Sequence, residues 1–131
     1  MIVLDTHAWI WWASDPGLLS PDARDAVDEA TAARDVCVSS VSVWEVALLV
    51  KRGRLELTLE PAQWVRRAEA LPFLRFVPVD NAIALRSVQL DAGFHDDPAD
   101  RIIVATALSL EASLVTKDRR MHDHPAVRAV W

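Results

Sequence analysis

The chain has 131 residues, 52% of them hydrophobic and 25% charged, which favours one well-filled domain over residues 1–131 rather than two. Its net charge of −5 argues against broad, nonspecific binding to phosphate backbones, and its single cysteine excludes a disulfide framework and a cysteine-based zinc cluster. No apolar stretch approaches the roughly 18 residues of a membrane span, so we expect no membrane association and a cytoplasmic location.

Short apolar strands alternate with helices along the chain. In chain order, the predicted elements are strand 2–4, helix 6–12, helix 20–34, strand 36–38, helix 40–53, helix 60–71, strand 76–79, helix 80–92, helix 97–112, strand 114–116 and strand 127–131. This alternation predicts an α/β fold of three layers, α/β/α, with a central parallel sheet.

The helix that follows the second strand carries clear boundary signals. Ser40 or Ser42 is its predicted N-cap, since Ser42 and Glu45 have the spacing of a capping box. Gly53 is expected to end it. The strand prediction for 76–79 is weaker than the others because the segment contains a proline.

Four acidic residues fall where a site forms in such a sheet. Asp5 closes the first strand and Asp118 lies just beyond the strand 114–116, and sites in open α/β sheets form outside the carboxyl ends of strands. Asp100 and Glu45 lie on helix faces whose other residues are apolar. We therefore expect the four side chains to meet in a single pocket.

Converging carboxylates need compensation. Two of them about 4 Å apart repel by roughly 4 kcal/mol at an effective dielectric of 20. The nearest basic residues in sequence are Lys51, Arg101, Lys117 and Arg119. Separate ion pairs explain any one acid taken alone, but a bound cation explains four together better. Oxygen ligands select Mg²⁺ or Mn²⁺, which activate water and suit a phosphodiester substrate.

These acids occur within five sequence motifs. The motifs are MIVLDTHAWI at 1–10, SSVSVWEV at 39–46, GRLEL at 53–57, HDDPADRIIVATA at 95–107 and LVTKD at 114–118. In this order and at these intervals they resemble the PIN-domain family, and within it the VapC-like toxins of bacterial toxin–antitoxin pairs. The resemblance covers essentially the whole chain.

The resemblance implies a metal-dependent endoribonuclease with an acidic quartet at Asp5, Glu45, Asp100 and Asp118. By analogy, Asp5 and Asp100 are the principal ligands of Mg²⁺ or Mn²⁺. Glu45 completes the site or orients the attacking water, and Asp118 holds a second metal or a metal-bound water. In-line attack leaves a 5′-phosphate and a 3′-hydroxyl.

The resemblance also implies supporting residues and partners. Thr6, Ser39, Asp97 and Thr116 are expected to orient the acids through hydrogen bonds. The implied partners are an RNA substrate, a cognate VapB-like antitoxin and a second toxin copy in a homodimer. The chain departs from the family at Ala99, where relatives usually carry an aromatic residue, and at Asp96, often a basic one; this departure concerns substrate fit.

Two other functions remain open. A catalytically silent PIN-like module that binds RNA or a partner is the first, and the intact acidic quartet argues against it. A receiver-like or phosphatase domain with Asp5 as nucleophile is the second, although Asp5-Thr6-His7 lacks the second aspartate of the phosphatase motif.

Histidine and tryptophan supply further candidates. His7, His122 and His124 have neither a cysteine partner nor the helical spacing of a zinc pair, whereas His95 precedes the acidic loop and is worth testing. Among the tryptophans of the first helix, Trp9 and Trp12 share a face and are expected in the core. Trp11 points elsewhere, which fits either core packing or a subunit contact.

Overall fold

Five short strands and seven α-helices alternate along residues 1–91 and 93–131, which are the residues that the computed structural model describes. The strands are β1 (Ile2–Leu4), β2 (Val36–Ser39), β3 (Leu74–Val77), β4 (Ser113–Val115) and β5 (Ala129–Val130). The helices are α1 (Thr6–Ser14), α2 (Pro21–Ala32), α3 (Ser40–Lys51), α4 (Pro61–Glu69), α5 (Asn81–Val88), α6 (Pro98–Ser109) and α7 (Arg119–His122). Within these described ranges, every helix is too short or too polar to cross a membrane.

The strands form one parallel sheet in the order β3-β2-β1-β4-β5, with β1 in the middle. Successive β1 side chains point to opposite faces, so Ile2 and Leu4 join one core layer and Val3 joins the other. The first layer packs against α1, α2 and α4. The second packs against α6, whose Ile103 and Val104 are fully buried. Helices on both faces confirm the predicted three-layer α/β/α fold.

The carboxyl ends of β1 and β4 lead into helices that are capped by aspartates. Asp5 follows β1 and accepts a hydrogen bond from the Thr6 N–H at the start of α1. Asp118 follows β4, and its carboxylate accepts from the Arg120 N–H at the start of α7. Because β1 and β4 are parallel neighbours, the two caps lie at the same edge of the sheet. The same residues therefore begin the helices and supply the acids of the site.

The start of α3 differs from the prediction. Ser39, the last residue of β2, caps the helix by accepting from the Val41 N–H at 3.2 Å, so the predicted cap at Ser40 or Ser42 is wrong. The strand leads into the helix without a loop, so the cap falls on an earlier residue than predicted. Ser42 lies inside α3 with its side chain fully buried, so the predicted capping box with Glu45 does not form.

Several other boundaries shift for simple reasons. Strand β3 begins at Leu74 and stops before Pro78, which has no N–H for the sheet. Helix α5 ends at Val88, whereas the predicted helix extends to Ala92, a residue outside those described. The sequence does not predict α7, because four residues carry too little periodicity.

Candidate active site

The edge of the sheet beyond β1 and β4 holds a cavity of about 370 Å³. Its lining residues are Asp5, Thr6, His7, Trp11, Glu45, Asp97, Asp100, Lys117, Asp118 and Arg120. The four acids that the sequence selected from four separate segments thus line one cavity. Among the described residues, however, the ligand atoms at metal-binding spacing belong to Asp100, Asp118 and His95, and Asp5 and Glu45 lie outside that group. The four acids differ from one another in burial and in the groups that contact them.

Asp5 is the most deeply placed acid, with 7% of its surface exposed. Its Oδ1 accepts a hydrogen bond from the Thr6 N–H and its Oδ2 accepts one from the Thr116 hydroxyl, both at 2.8 Å. The pKa of Asp5 is raised to about 6, chiefly by burial; the charge of Asp100 acts in the same direction, and the hydrogen bonds from Thr116 and Thr6 oppose them. A neutral hydrogen-bond shell orients this carboxylate without cancelling its charge.

Glu45 is reached through a chain of hydroxyl groups. The Thr6 Oγ1 donates to Glu45 Oε1 at 2.5 Å and lies 2.8 Å from the Ser42 Oγ. Since the Thr6 proton goes to Glu45, the Ser42 hydroxyl donates to Thr6. Burial, followed by the charges of Asp5 and Asp100, raises the pKa of Glu45 to about 7.

Asp100 lies in the first turn of α6 and contacts an imidazole. His95 Nε2 is 2.6 Å from Asp100 Oδ2, and the Asp100 N–H donates to Asp97 Oδ1 at 2.9 Å. Burial raises the pKa of Asp100, although its hydrogen bond to His95 works in the other direction. Asp97, the N-cap of α6, thus orients the turn that carries Asp100.

Asp118 is paired with a guanidinium group. Arg120 Nη2 lies 2.8 Å from Asp118 Oδ2, and Arg120 Nε donates to Oδ1 at 3.2 Å. The hydrogen bonds from Arg120 lower the pKa of Asp118. The same Nη2 is 3.8 Å from Asp100 Oδ2, so Arg120 bridges two acids. Ligand atoms of His95, Asp100 and Asp118 all lie within 4.8 Å of one another, a spacing that a metal ion can bridge.

The basic residues nearest the acids in sequence do not neutralise them. Arg101 donates to the carbonyl groups of Ser87, Phe94 and His95, which ties these residues to α6. Over residues 1–91 and 93–131, the basic side chains within ion-pair distance of the quartet are those of His95 and Arg120. Among the described residues, the groups that hydrogen-bond to Asp5 and Glu45 are therefore all neutral.

The predicted supporting residues divide into two groups. Thr6 and Thr116 contact the acids directly, and Thr116 also accepts from the Asp118 N–H at 3.1 Å. Ser39 is fully buried, and its hydroxyl caps α3. The sequence pattern assigned Ser42 to a helix cap, but its hydroxyl instead belongs to the site, where it contacts Thr6.

Three aromatic residues of α1 have different surroundings. Trp9 is 1% exposed and packs in the core, as predicted. Trp12 is partly buried and packs against Phe73. Trp11 is partly buried and lines the acidic cavity, a position that neither interpretation of the sequence anticipated.

Comparison with known proteins defines the class to which this fold and site belong. The PIN domain model matches residues 2–127, and the chain belongs to the PIN-domain family. It is 35% identical over 132 residues to Ribonuclease VapC22 of Mycobacterium tuberculosis, a match that covers 99% of this chain and 98% of that protein. The predicted resemblance is confirmed.

Solved structures share the same architecture. FitAcB from Neisseria gonorrhoeae superposes with a TM-score of 0.67 at 26% identity, covering 98% of this chain and 96% of that one. The DNA-bound VapBC from Salmonella typhimurium has a TM-score of 0.69 at 21% identity, covering 98% of this chain and 95% of that one. The second likeness extends the shared fold to more distant sequences.

Proposed function

We propose that this protein is the toxin of a toxin–antitoxin pair and acts as a divalent-metal-dependent endoribonuclease, with residues 1–131 forming a single PIN domain. The observation that carries the proposal is that buried Asp5 and half-buried Glu45 line one cavity and have neutral hydrogen-bond partners. Membership of the family and likeness to a protein named a ribonuclease supply the reaction class.

The residues present fit a hard cation. Carboxylate oxygens from Asp5, Glu45, Asp100 and Asp118 line one cavity, and two of these acids have pKa values raised chiefly by burial to about 6 and about 7. We propose that these four side chains hold Mg²⁺ or Mn²⁺. When bound, such an ion supplies Lewis-acid polarisation of the phosphate and lowers the pKa of a coordinated water.

The chain's own groups then have separate tasks in hydrolysis. Thr116 and the Thr6 N–H fix both oxygens of Asp5. The Ser42–Thr6 hydroxyl chain fixes Glu45, which orients its carboxylate to accept a proton from the attacking water. In-line attack forms the bond from phosphorus to the water oxygen and breaks the bond to the 3′-oxygen, which takes up a proton from solvent; the products carry a 5′-phosphate and a 3′-hydroxyl.

The silent binding module remains the competing function. It requires no ionised acids, so nothing would offset the cost of burying Asp5 and Glu45 together. The departures from the family pattern affect the surroundings rather than the acids: Ala99 is buried and Asp96 is exposed. We assign them to substrate selection.

The structural neighbours support an antitoxin partner. They include VapBC complexes and a toxin–antitoxin complex, and we propose a small VapB-like antitoxin as the cognate partner. A second copy of this chain in a homodimer is proposed from the family resemblance alone. A cytoplasmic location is part of the same proposal.

Cleavage of a structured RNA pool with and without Mg²⁺ or Mn²⁺ tests the proposed function. We expect cleavage only with the metal, products that carry a 5′-phosphate, and a loss of at least about 100-fold in Asp100→Asn. Asp28→Asn, which changes an exposed acid on α2, is the matched control and should retain full activity. Metal-independent cleavage, or full activity in Asp100→Asn, would contradict the proposal.

A further inference from the structure

An aromatic ring and an ammonium group form part of the lining of the acidic cavity. Trp11 and Lys117 both line the cavity, and Lys117 Nζ lies 5.8 Å from the centre of the Trp11 ring. Lys117 is exposed, and no acid lies within ion-pair distance of it among the described residues. This pair takes no part in holding the acids.

The indole of Trp11 is held in place by its neighbours. Its ring centre lies 5.7 Å from that of His7, one turn earlier on α1, and 5.6 Å from that of Trp131 beyond β5. Contacts on these sides limit the rotation of the side chain while one part of the ring faces the cavity. A rigid, partly exposed indole loses little conformational entropy when a flat ring stacks on it.

The negative charge of the cavity makes Lys117 a candidate for binding the RNA phosphates. Four carboxylates line it, and the other Lys or Arg among its lining residues, Arg120, is already bonded to Asp118. An RNA strand that approaches these acids therefore needs a cation that is not committed to them. Lys117 supplies one at the rim, where contact with a phosphate replaces its weak, distant contact with the indole.

We propose that Trp11 and Lys117 form a nucleotide subsite beside the acids, in which one base stacks on the indole and Lys117 binds an adjacent phosphate. The inference rests on the proposed ribonuclease function and names the substrate feature that the site recognises: an unpaired base next to the scissile phosphate. Stacking on an indole tolerates any base, so the subsite selects single-stranded RNA rather than a particular nucleotide.

Two probes separate stacking from charge. Hexauridylate and an abasic hexamer with the same ribose-phosphate backbone are titrated by fluorescence anisotropy, with Ca²⁺ replacing Mg²⁺ to prevent cleavage. The wild type should bind hexauridylate about tenfold more tightly than the abasic hexamer. Trp11→Leu should remove this preference and leave abasic binding unchanged, whereas Lys117→Ala should weaken both probes by a similar factor.

Trp12→Leu is the matched control, because Trp12 is also a partly buried tryptophan of α1 but lines a different cavity with Trp9 and Trp64. It should retain the full preference for hexauridylate. A preference that survives in Trp11→Leu, or a loss that is equal for both probes, would overturn the subsite while leaving metal-dependent cleavage intact. Failure of the wild type to bind either probe or to cleave RNA would overturn the proposed function as well.

A second measurement uses the wild type alone and does not depend on the folding of a variant. Hexamers of 5-bromouridine are irradiated in the complex, and the cross-linked peptide is identified by mass spectrometry. The modification should fall on Trp11. Cross-links confined to other residues would contradict the proposal.

Discussion

The acidic cavity has two halves that hold their charges differently. In the inner half, Asp5 and Glu45 accept hydrogen bonds from hydroxyl and backbone N–H groups. In the outer half, Asp100 contacts His95 and Asp118 is paired with Arg120. In both halves the carboxylates accept hydrogen bonds, but only in the outer half does a positively charged side chain, that of Arg120, also contact them.

This difference appears in the pKa values. Burial raises the pKa of Asp5 to about 6 and that of Glu45 to about 7, while Arg120 lowers the pKa of Asp118. A neutral donor orients a carboxylate, whereas only a cation or a proton offsets the cost of burying its charge. The inner half is therefore where pH and divalent metal should act most strongly.

The largest expected effect is a difference in RNA cleavage between variants of the inner and the outer half. Asp5→Asn should reduce RNA cleavage by about 1,000-fold or more, because Asp5 is a proposed principal ligand without a substitute. Asp118→Asn should cost about tenfold, since Asp118 is partly exposed and already shared with Arg120. Single-turnover rates at saturating Mn²⁺ measure both. Equal losses in the two variants would contradict the division.

The next effect concerns stability without metal. The pKa of Asp5, about 6 when folded, exceeds the roughly 3.9 of an unfolded chain. The folded protein therefore binds this proton more tightly, and the associated stability is full below about pH 4 and is lost as pH rises through 6. Asp5→Asn avoids that loss and should be more stable than the wild type at pH 7.5 by about 1–3 kcal/mol.

Urea denaturation in EDTA at pH 7.5 and pH 4 measures this difference. The advantage of Asp5→Asn should disappear at pH 4. Saturating Mn²⁺ at pH 7.5 should reverse the order, because the metal stabilises the folded wild type more strongly than the variant. A variant destabilised equally at both pH values would show that Asp5 is not held against a charge penalty.

A smaller effect is expected at the outer half. Arg120 competes with a bound cation for Asp100 and Asp118. Arg120→Ala should raise the affinity for Mn²⁺ by about two- to fivefold, a modest change because the guanidinium is largely exposed. Arg119→Ala, the adjacent exposed arginine, is the control and should leave the affinity unchanged. Calorimetric titration distinguishes the two.

Much of the site follows from sequence pattern combined with sheet topology. Asp5 and Asp118 end apolar strands, and Asp100 lies on an inward helix face, so a parallel sheet brings them together. The helix pattern also selected Glu45, and the resemblance to a known family added its role. The order of the strands is not visible in the pattern, but the alternation of strands and helices is.

The remaining features depend on geometry that no local pattern carries. Ser42 has the spacing of a helix cap, yet the direct passage from β2 into α3 places it inside the helix and frees its hydroxyl for Thr6. Arg120 rather than Arg119 reaches Asp118, because Asp118 caps the four-residue α7 by accepting a hydrogen bond from the Arg120 N–H. Trp11 faces the cavity because of contacts with residues far away in the chain, such as Trp131.

The coupling of metal binding to proton release tests the central claim most directly. Mn²⁺ is titrated calorimetrically into the wild type at pH 6.5 in buffers of different ionisation enthalpy. With pKa values of about 6 for Asp5 and about 7 for Glu45, about one proton should leave per ion bound at pH 6.5 and almost none at pH 8.5. Binding without proton release at pH 6.5, or no binding at all, would contradict the account.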